Sequence, residues 1–173
     1  MDIYEPFTKL PVSKYQFEQF KAGDLWRQWA ALYPQLFDAD DVRVAESQAA
    51  RGYHFHEWLA ALVIYQSVGY LSLIESYEFK VQKRKQSILH KLLPDHVQEA
   101  VVEITSLGKA QCPDLLCFKS DLSDWFFCEV KGPKDASRPI QEECFQHLVR
   151  ASGKKIKLFE FEYFPEEANS RAL

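Results

Sequence analysis

Residues 112–133, CPDLLCFKSDLSDWFFCEVKGP, hold two short apolar runs joined by a polar connection, and each run carries carboxylates that core building does not require. PDLLCF and DWFFCEVK have the length and the aromatic and aliphatic content of strands, and KSDLSD suits the turn of a hairpin. Strand side chains alternate between faces, so Asp114, Leu116 and Phe118 share one face, and Trp125, Phe127, Glu129 and Lys131 share one face of the next strand. Folding symmetrically about residues 121 and 122 sets Phe118 against Trp125, Leu116 against Phe127 and Asp114 against Glu129.

Directly opposed residues have Cβ atoms about 4.5–5.5 Å apart, and two carboxylates held that close on a half-buried face repel each other and lose hydration. A positive charge belongs between them. A hard divalent cation, Mg²⁺ or Mn²⁺, prefers carboxylate, carbonyl and water oxygens, and the Val130 carbonyl is a further candidate ligand. Lys131, two residues past Glu129 on the same face, is placed to orient a water or to meet charge developing on a phosphate. The competing reading is a hairpin end in solvent with an ordinary Glu–Lys couple. On average composition, P-D followed by [DE]-x-K occurs by chance in on the order of one in fifteen chains of this length.

Around the hairpin, the segment 55–68 is apolar on nearly all sides and reads as a buried helix closed by Gly69. Residues 1–24 read as an irregular arm with one short helix, YQFEQFKA, and LWRQWAALYPQLF as a helix interrupted at Pro34. DADDVRVAESQAARG reads as loop with a short helix in its second half. The spacing predicts one or two helices through LSLIESYEFKVQKRKQSILHKLL, then a helix with a strand-like tail through HVQEAVVEITSLG. Pro139 opens a helix with an apolar stripe of Ile140, Cys144, Leu148 and Ala151, and KIKLFEFEYF is a last strand. The expected fold is α/β, a mixed central sheet flanked by helices, with residues 1–50 as a helical N-terminal extension and 51–173 as the domain proper.

With 173 residues, 47% hydrophobic, the chain supports one sizeable core, and its 13 Phe, 8 Tyr and 4 Trp exclude a disordered chain. The longest apolar run, WLAALVIY, is too short to cross a bilayer and no signal peptide is visible, so the expectation is a cytoplasmic protein with no membrane partner. Cys112, Cys117, Cys128 and Cys144 lack CxxC spacing and read as reduced core residues rather than an iron–sulfur or zinc site. The net charge of −4 does not exclude a nucleic-acid partner, because phosphate binding depends on local clusters. Lys80, Lys83, Arg84, Lys85 and Lys91 crowd into 80–91, and KGPKDASR and GKKIK add further cations; the bland alternative is a solvated helix face.

The sequence PD, then EVKGP, then a helix opening with Gln141 resembles the VRR-NUC branch of the PD-(D/E)XK nuclease superfamily over roughly 113–161. The resemblance implies a restriction-endonuclease-like core and Mg²⁺- or Mn²⁺-dependent cleavage of DNA phosphodiester bonds. Asp114 and Glu129 become metal ligands, Lys131 the catalytic lysine and Gln141 the supporting glutamine. The family also uses a glutamate on an earlier helix, for which Glu57 is the first candidate because it enters an otherwise apolar helix; the alternative is a first-turn Glu favoured by the helix dipole. Glu46, Glu75 and Glu78 compete, the last two reading as exposed helix residues. His54 and His56 read as polar residues at the helix start rather than zinc ligands. Lys80, Lys83, Arg84, Lys85, Lys134 and Arg138 are the expected DNA contacts. Stand-alone members of the branch act as dimers on branched DNA, so a homodimer acting on Holliday junctions or flaps is the implied partner state. Two rival classes are a catalytically inactive DNA- or protein-binding module that retains the fold, and a toxin-like or defence nuclease with a protein partner.

Overall fold

In the computed structural model, which describes residues 2–74, 77–78, 82–106 and 112–165, the chain runs β1 (Tyr4–Val12), α1 (Lys14–Ala22), α2 (Asp24–Leu32), α3 (Ala39–Gln48), α4 (Phe55–Val68), β2 (Leu71–Ile74), α5 (Lys83–Leu92), α6 (Asp95–Ser106), β3 (Leu115–Phe118), β4 (Trp125–Lys131), α7 (Pro139–Ser152) and β5 (Ile156–Tyr163). One turn of 3₁₀ helix, Ala49–Arg51, links α3 to α4. The strands form a five-stranded mixed sheet in the order β1-β5-β4-β3-β2.

The β3–β4 hairpin lies inside the sheet with the register expected from its symmetry: Phe118 pairs Trp125 and Leu116 pairs Phe127. Its turn is closed by Leu122, whose φ of 60° is left-handed and whose N–H donates to the Lys119 carbonyl at 2.8 Å. β4 then needs a crossover to reach a parallel neighbour, and α7 supplies it, setting Glu129 beside Leu158 and Lys131 beside Glu160 of β5. The strand pair is apolar from Leu115 to Phe118 and from Trp125 to Cys128 because both its faces are covered. Phe126, Cys128 and Val130 join the core under α1–α4, whereas Trp125 and Phe127 join the core under α5–α7.

Two strands occupy positions where the sequence suggests none. Residues 4–12, expected to be an irregular arm, form β1, parallel to β5, with a register shift between Pro6 and Thr8. Pro6 and Pro11 have no N–H to give a ladder, which restricts such a strand to an edge, and β1 is an edge. Leu71–Ile74, expected to be helical, is β2, the other edge, antiparallel to β3. At four residues it is too short to show a period.

The helices follow the sequence more closely. α4 has the expected limits, and Gly69 caps it at φ 75° with its N–H on the Tyr65 carbonyl. α3 begins earlier than expected, because Asp38 and Asp41 form a reciprocal capping box at its start. On α7 the buried side is Gln141, Cys144, Phe145, Leu148 and Val149, and Ile140, expected in the stripe, is 42% exposed. All four cysteines are buried and none is in a disulfide, and desolvation pushes the Cys117 thiol up to about 12. Among the described residues no helix is long and apolar enough to cross a membrane.

Candidate active site

At the end of the hairpin, four of the predicted residues converge. Glu129 is 1% exposed, yet it sits on the strand face whose two preceding members are core aromatics, so the alternation that buries Trp125 and Phe127 also buries a carboxylate. Its Oε1 accepts from Lys131 Nζ at 2.6 Å and from Gln141 Nε2 at 2.8 Å. Gln141 in turn offers its Oε1 to Lys131 Nζ at 3.3 Å. The Glu129 Oε2 is buried without a hydrogen-bond partner. Asp114 reaches the same place from just before β3, its Oδ2 accepting the Val130 N–H at 2.8 Å.

Burial raises the Glu129 carboxyl above its ordinary value, outweighing the attraction of Lys131 and the influence of Asp114. Burial works against the Lys131 ammonium too, but the charge and hydrogen bond of Glu129 outweigh it, and the Lys131 pKa is raised overall. Lys131 is therefore a cation at neutral pH rather than a proton acceptor. A buried carboxylate with one oxygen outside normal hydrogen-bond geometry, set against the second carboxylate of Asp114, is a donor set suited to a hard cation such as Mg²⁺ or Mn²⁺.

The early acid is less simple. Glu57 lies half-buried in the first turn of α4. Among the described residues no three His, Cys, Asp or Glu side chains converge as a metal-binding group. Glu46 lies on α3, and Glu75 lies outside the described residues. Glu78, expected on an exposed helix, is half-buried in a turn instead. Next to it the Tyr77 hydroxyl donates to the Pro113 carbonyl at 2.6 Å, and after burial and Cys112 it is the charges of Glu78, Asp114 and Glu129 that raise the Tyr77 pKa. Glu78 thus lies on the same side as Asp114 and Glu129, although its place ahead of the basic run reads as an exposed helix position.

The glycine of EVKGP has a steric reason. A Cβ at Gly132 would come within 2.8 Å of His56 Cε1 and 2.9 Å of Asp135 Oδ2, and the Gly132 N–H donates to that same Oδ2 at 2.8 Å. His56, its pKa lowered by burial against the opposing pull of Asp135, thus packs on the loop leaving β4. His54 bonds Gln48 at 2.9 Å, in keeping with a structural role at the helix start. Gly132→Ala is expected to push this loop from α4 and cost about 1–3 kcal/mol, read by urea unfolding.

The basic residues divide. Lys134 and Arg138 are exposed on the loop between β4 and α7. Lys83 is exposed at the start of α5, Arg84 is paired with Asp38 at 2.6 Å, and Lys80 lies outside the described residues. Lys85 contradicts the expectation of a DNA contact: its side chain is 4% exposed, with Nζ 2.7 Å from Asp41 Oδ1 and 2.6 Å from the Ile74 carbonyl. It pins α5 to α3 and β2 and has no solvent face for a phosphate.

No protein-family model matches the chain, and no curated protein and no solved structure is similar enough to count as a match.

Proposed function

We propose that the protein is a metal-dependent nuclease of the VRR-NUC type, hydrolysing DNA phosphodiester bonds on a restriction-endonuclease-like core. The observation that carries this reading is the buried Glu129 carboxylate, with one oxygen held by Lys131 and Gln141 and the other left without a hydrogen bond, next to Asp114. Maintaining an ionised carboxylate there costs stability, and a bound cation offsets the cost.

Asp114 and Glu129 would hold Mg²⁺ or Mn²⁺, with the Val130 carbonyl available as a further ligand. When bound, the ion supplies Lewis acidity at the phosphoryl oxygens and lowers the pKa of its water. Lys131 stabilises negative charge growing on the scissile phosphate, and its raised pKa keeps it charged for that task. Gln141 fixes the geometry, holding Glu129 and Lys131 at once from the first turn of α7. Lys134, Arg138 and Lys83 would meet the DNA backbone, which gives affinity without sequence preference. A homodimer acting on branched DNA follows from the resemblance alone.

The test is metal binding followed by cleavage. Mn²⁺ is expected to bind and to raise the melting temperature of the wild-type protein, and both effects are expected to vanish in Asp114→Ala. Linear, flapped and four-way DNA would be offered with Mg²⁺ beside Lys131→Ala, which is expected to bind DNA and fail to cut it. Wild-type protein that neither binds Mn²⁺ nor cuts any of these substrates overturns the reading.

A further inference from the structure

The cleft beside Lys131 has a wall supplied by the opposite end of the chain. Its volume is about 410 Å³, and it is lined by Lys131 and Ser137 on one side and by Tyr4 and Lys9 of β1 on the other. The sheet explains how residue 4 comes to be there: β1 runs parallel to β5, Tyr4 pairs with Ile156, and the Ile156 N–H donates to the Ile3 carbonyl at 3.0 Å.

The Tyr4 ring is held edge-on against Phe145 of α7, with centroids 6.2 Å apart and planes at 84°. Phe145 is one turn along α7 from Gln141, so the helix that orients Glu129 and Lys131 also seats this ring. The phenol oxygen lies 3.4 Å from Ser137 Oγ, a long contact that leaves the hydroxyl able to turn to a better acceptor. Of the three acids lining the cleft, Asp135 accepts from the Gly132 N–H, Glu162 is paired with Lys9 at 3.0 Å, and Glu160 stands beside Lys131 in the sheet register. The Tyr4 pKa is raised, by burial first and with Glu129 also raising it, so the phenol keeps its proton at neutral pH.

Resting on the nuclease reading above, we infer that Tyr4 is a substrate-positioning residue: its hydroxyl donates to a phosphate oxygen of the DNA strand lying in the cleft next to Lys131. A phosphodiester between an ammonium and a neutral donor on a rigid ring is fixed in orientation as well as in charge, which an ammonium on a flexible stem does not achieve by itself.

Tyr4→Phe removes the hydroxyl and keeps the ring on Phe145. With a fluorescently labelled flapped duplex and Mg²⁺, kcat/KM is expected to fall about tenfold, with DNA affinity in Ca²⁺ reduced and the melting temperature and Mn²⁺ affinity unchanged. Ser137→Ala, which removes the phenol's partner within the protein, is expected not to reproduce that loss. Wild-type kcat/KM in Tyr4→Phe, alongside an inactive Lys131→Ala, overturns the role of Tyr4 and leaves the nuclease standing. An equal loss in Ser137→Ala also overturns it, since the hydroxyl would then act by bracing the loop. A wild-type protein that neither binds Mn²⁺ nor cuts removes both readings together.

Discussion

Glu129→Gln is expected to abolish cleavage, by about 10³-fold or more, because metal-borne charge stabilisation contributes several kcal/mol to phosphoryl transfer. The same variant is expected to melt at a higher temperature than the wild type at neutral pH without metal. The Glu129 pKa in the folded protein lies above its ordinary 4.5, chiefly through burial, so folding favours the protonated form. The cost of the ionised side chain is absent below about pH 4.5, grows as pH rises toward the folded pKa and is complete above it. Gln keeps an oxygen for Lys131 and Gln141, places an amide where the buried Oε2 stands, and does not ionise. The gain in melting temperature should therefore increase from pH 4 to pH 8, and Mg²⁺ should reduce it by stabilising only the wild type. Calorimetry at several pH values, with and without Mg²⁺, checks both parts; a variant less stable than the wild type at pH 8 without metal contradicts this electrostatic account.

Lys85→Met is expected to cost about 3–5 kcal/mol, the range for removing one partner of a buried ion pair, and to lower the melting temperature by on the order of 10 °C. Lys85 and Asp41 are 3% and 4% exposed, and Lys85 also donates to the Ile74 carbonyl. Met fills a similar volume but leaves Asp41 buried without this cation and the carbonyl without this donor. Burial raises the Asp41 pKa even against the pull of Lys85, so without Lys85 it should rise further. The loss is then full at neutral pH and shrinks as pH falls through the Asp41 pKa. Thermal unfolding at pH 5 and pH 8 measures this, and Asp41→Leu added to Lys85→Met should recover a good part of the stability. DNA affinity is expected to be unaffected when compared below the melting point, because the side chain does not reach the surface.

The hairpin was legible because its information is local. A two-residue period, a polar turn and the two-fold symmetry of an antiparallel pair set Asp114 at the end where Glu129 and Lys131 stand, without knowledge of any other strand. α4 was legible for the same kind of reason, with an apolar run of helical length and a glycine at its end. β1 was hidden by two prolines and a mixed polar pattern, and an edge strand earns its pairing from its neighbour. β2 was hidden by its brevity, and the misassigned stripe on α7 by a polar residue, Gln141, that is buried against Glu129 and Lys131.

Lys85 shows the limit most sharply. In sequence it is one of a row of cations, indistinguishable from Lys83 or Arg84, and only the approach of α3 and β2 makes it a buried partner of Asp41 rather than a surface charge. Glu78 is a second case, since its half-buried place beside Tyr77 and Pro113 depends on where β2 delivers the chain.

By itself the sequence determined the strand hairpin, the buried helix and the residue types at the hairpin's end, because backbone alternation and helical periodicity act over a few neighbouring residues. Tertiary structure alone decided that the N-terminal strand shares the sheet and carries Tyr4 to Lys131, and which charges are buried, because both follow from contacts between segments far apart in the chain, whose energies no local pattern encodes.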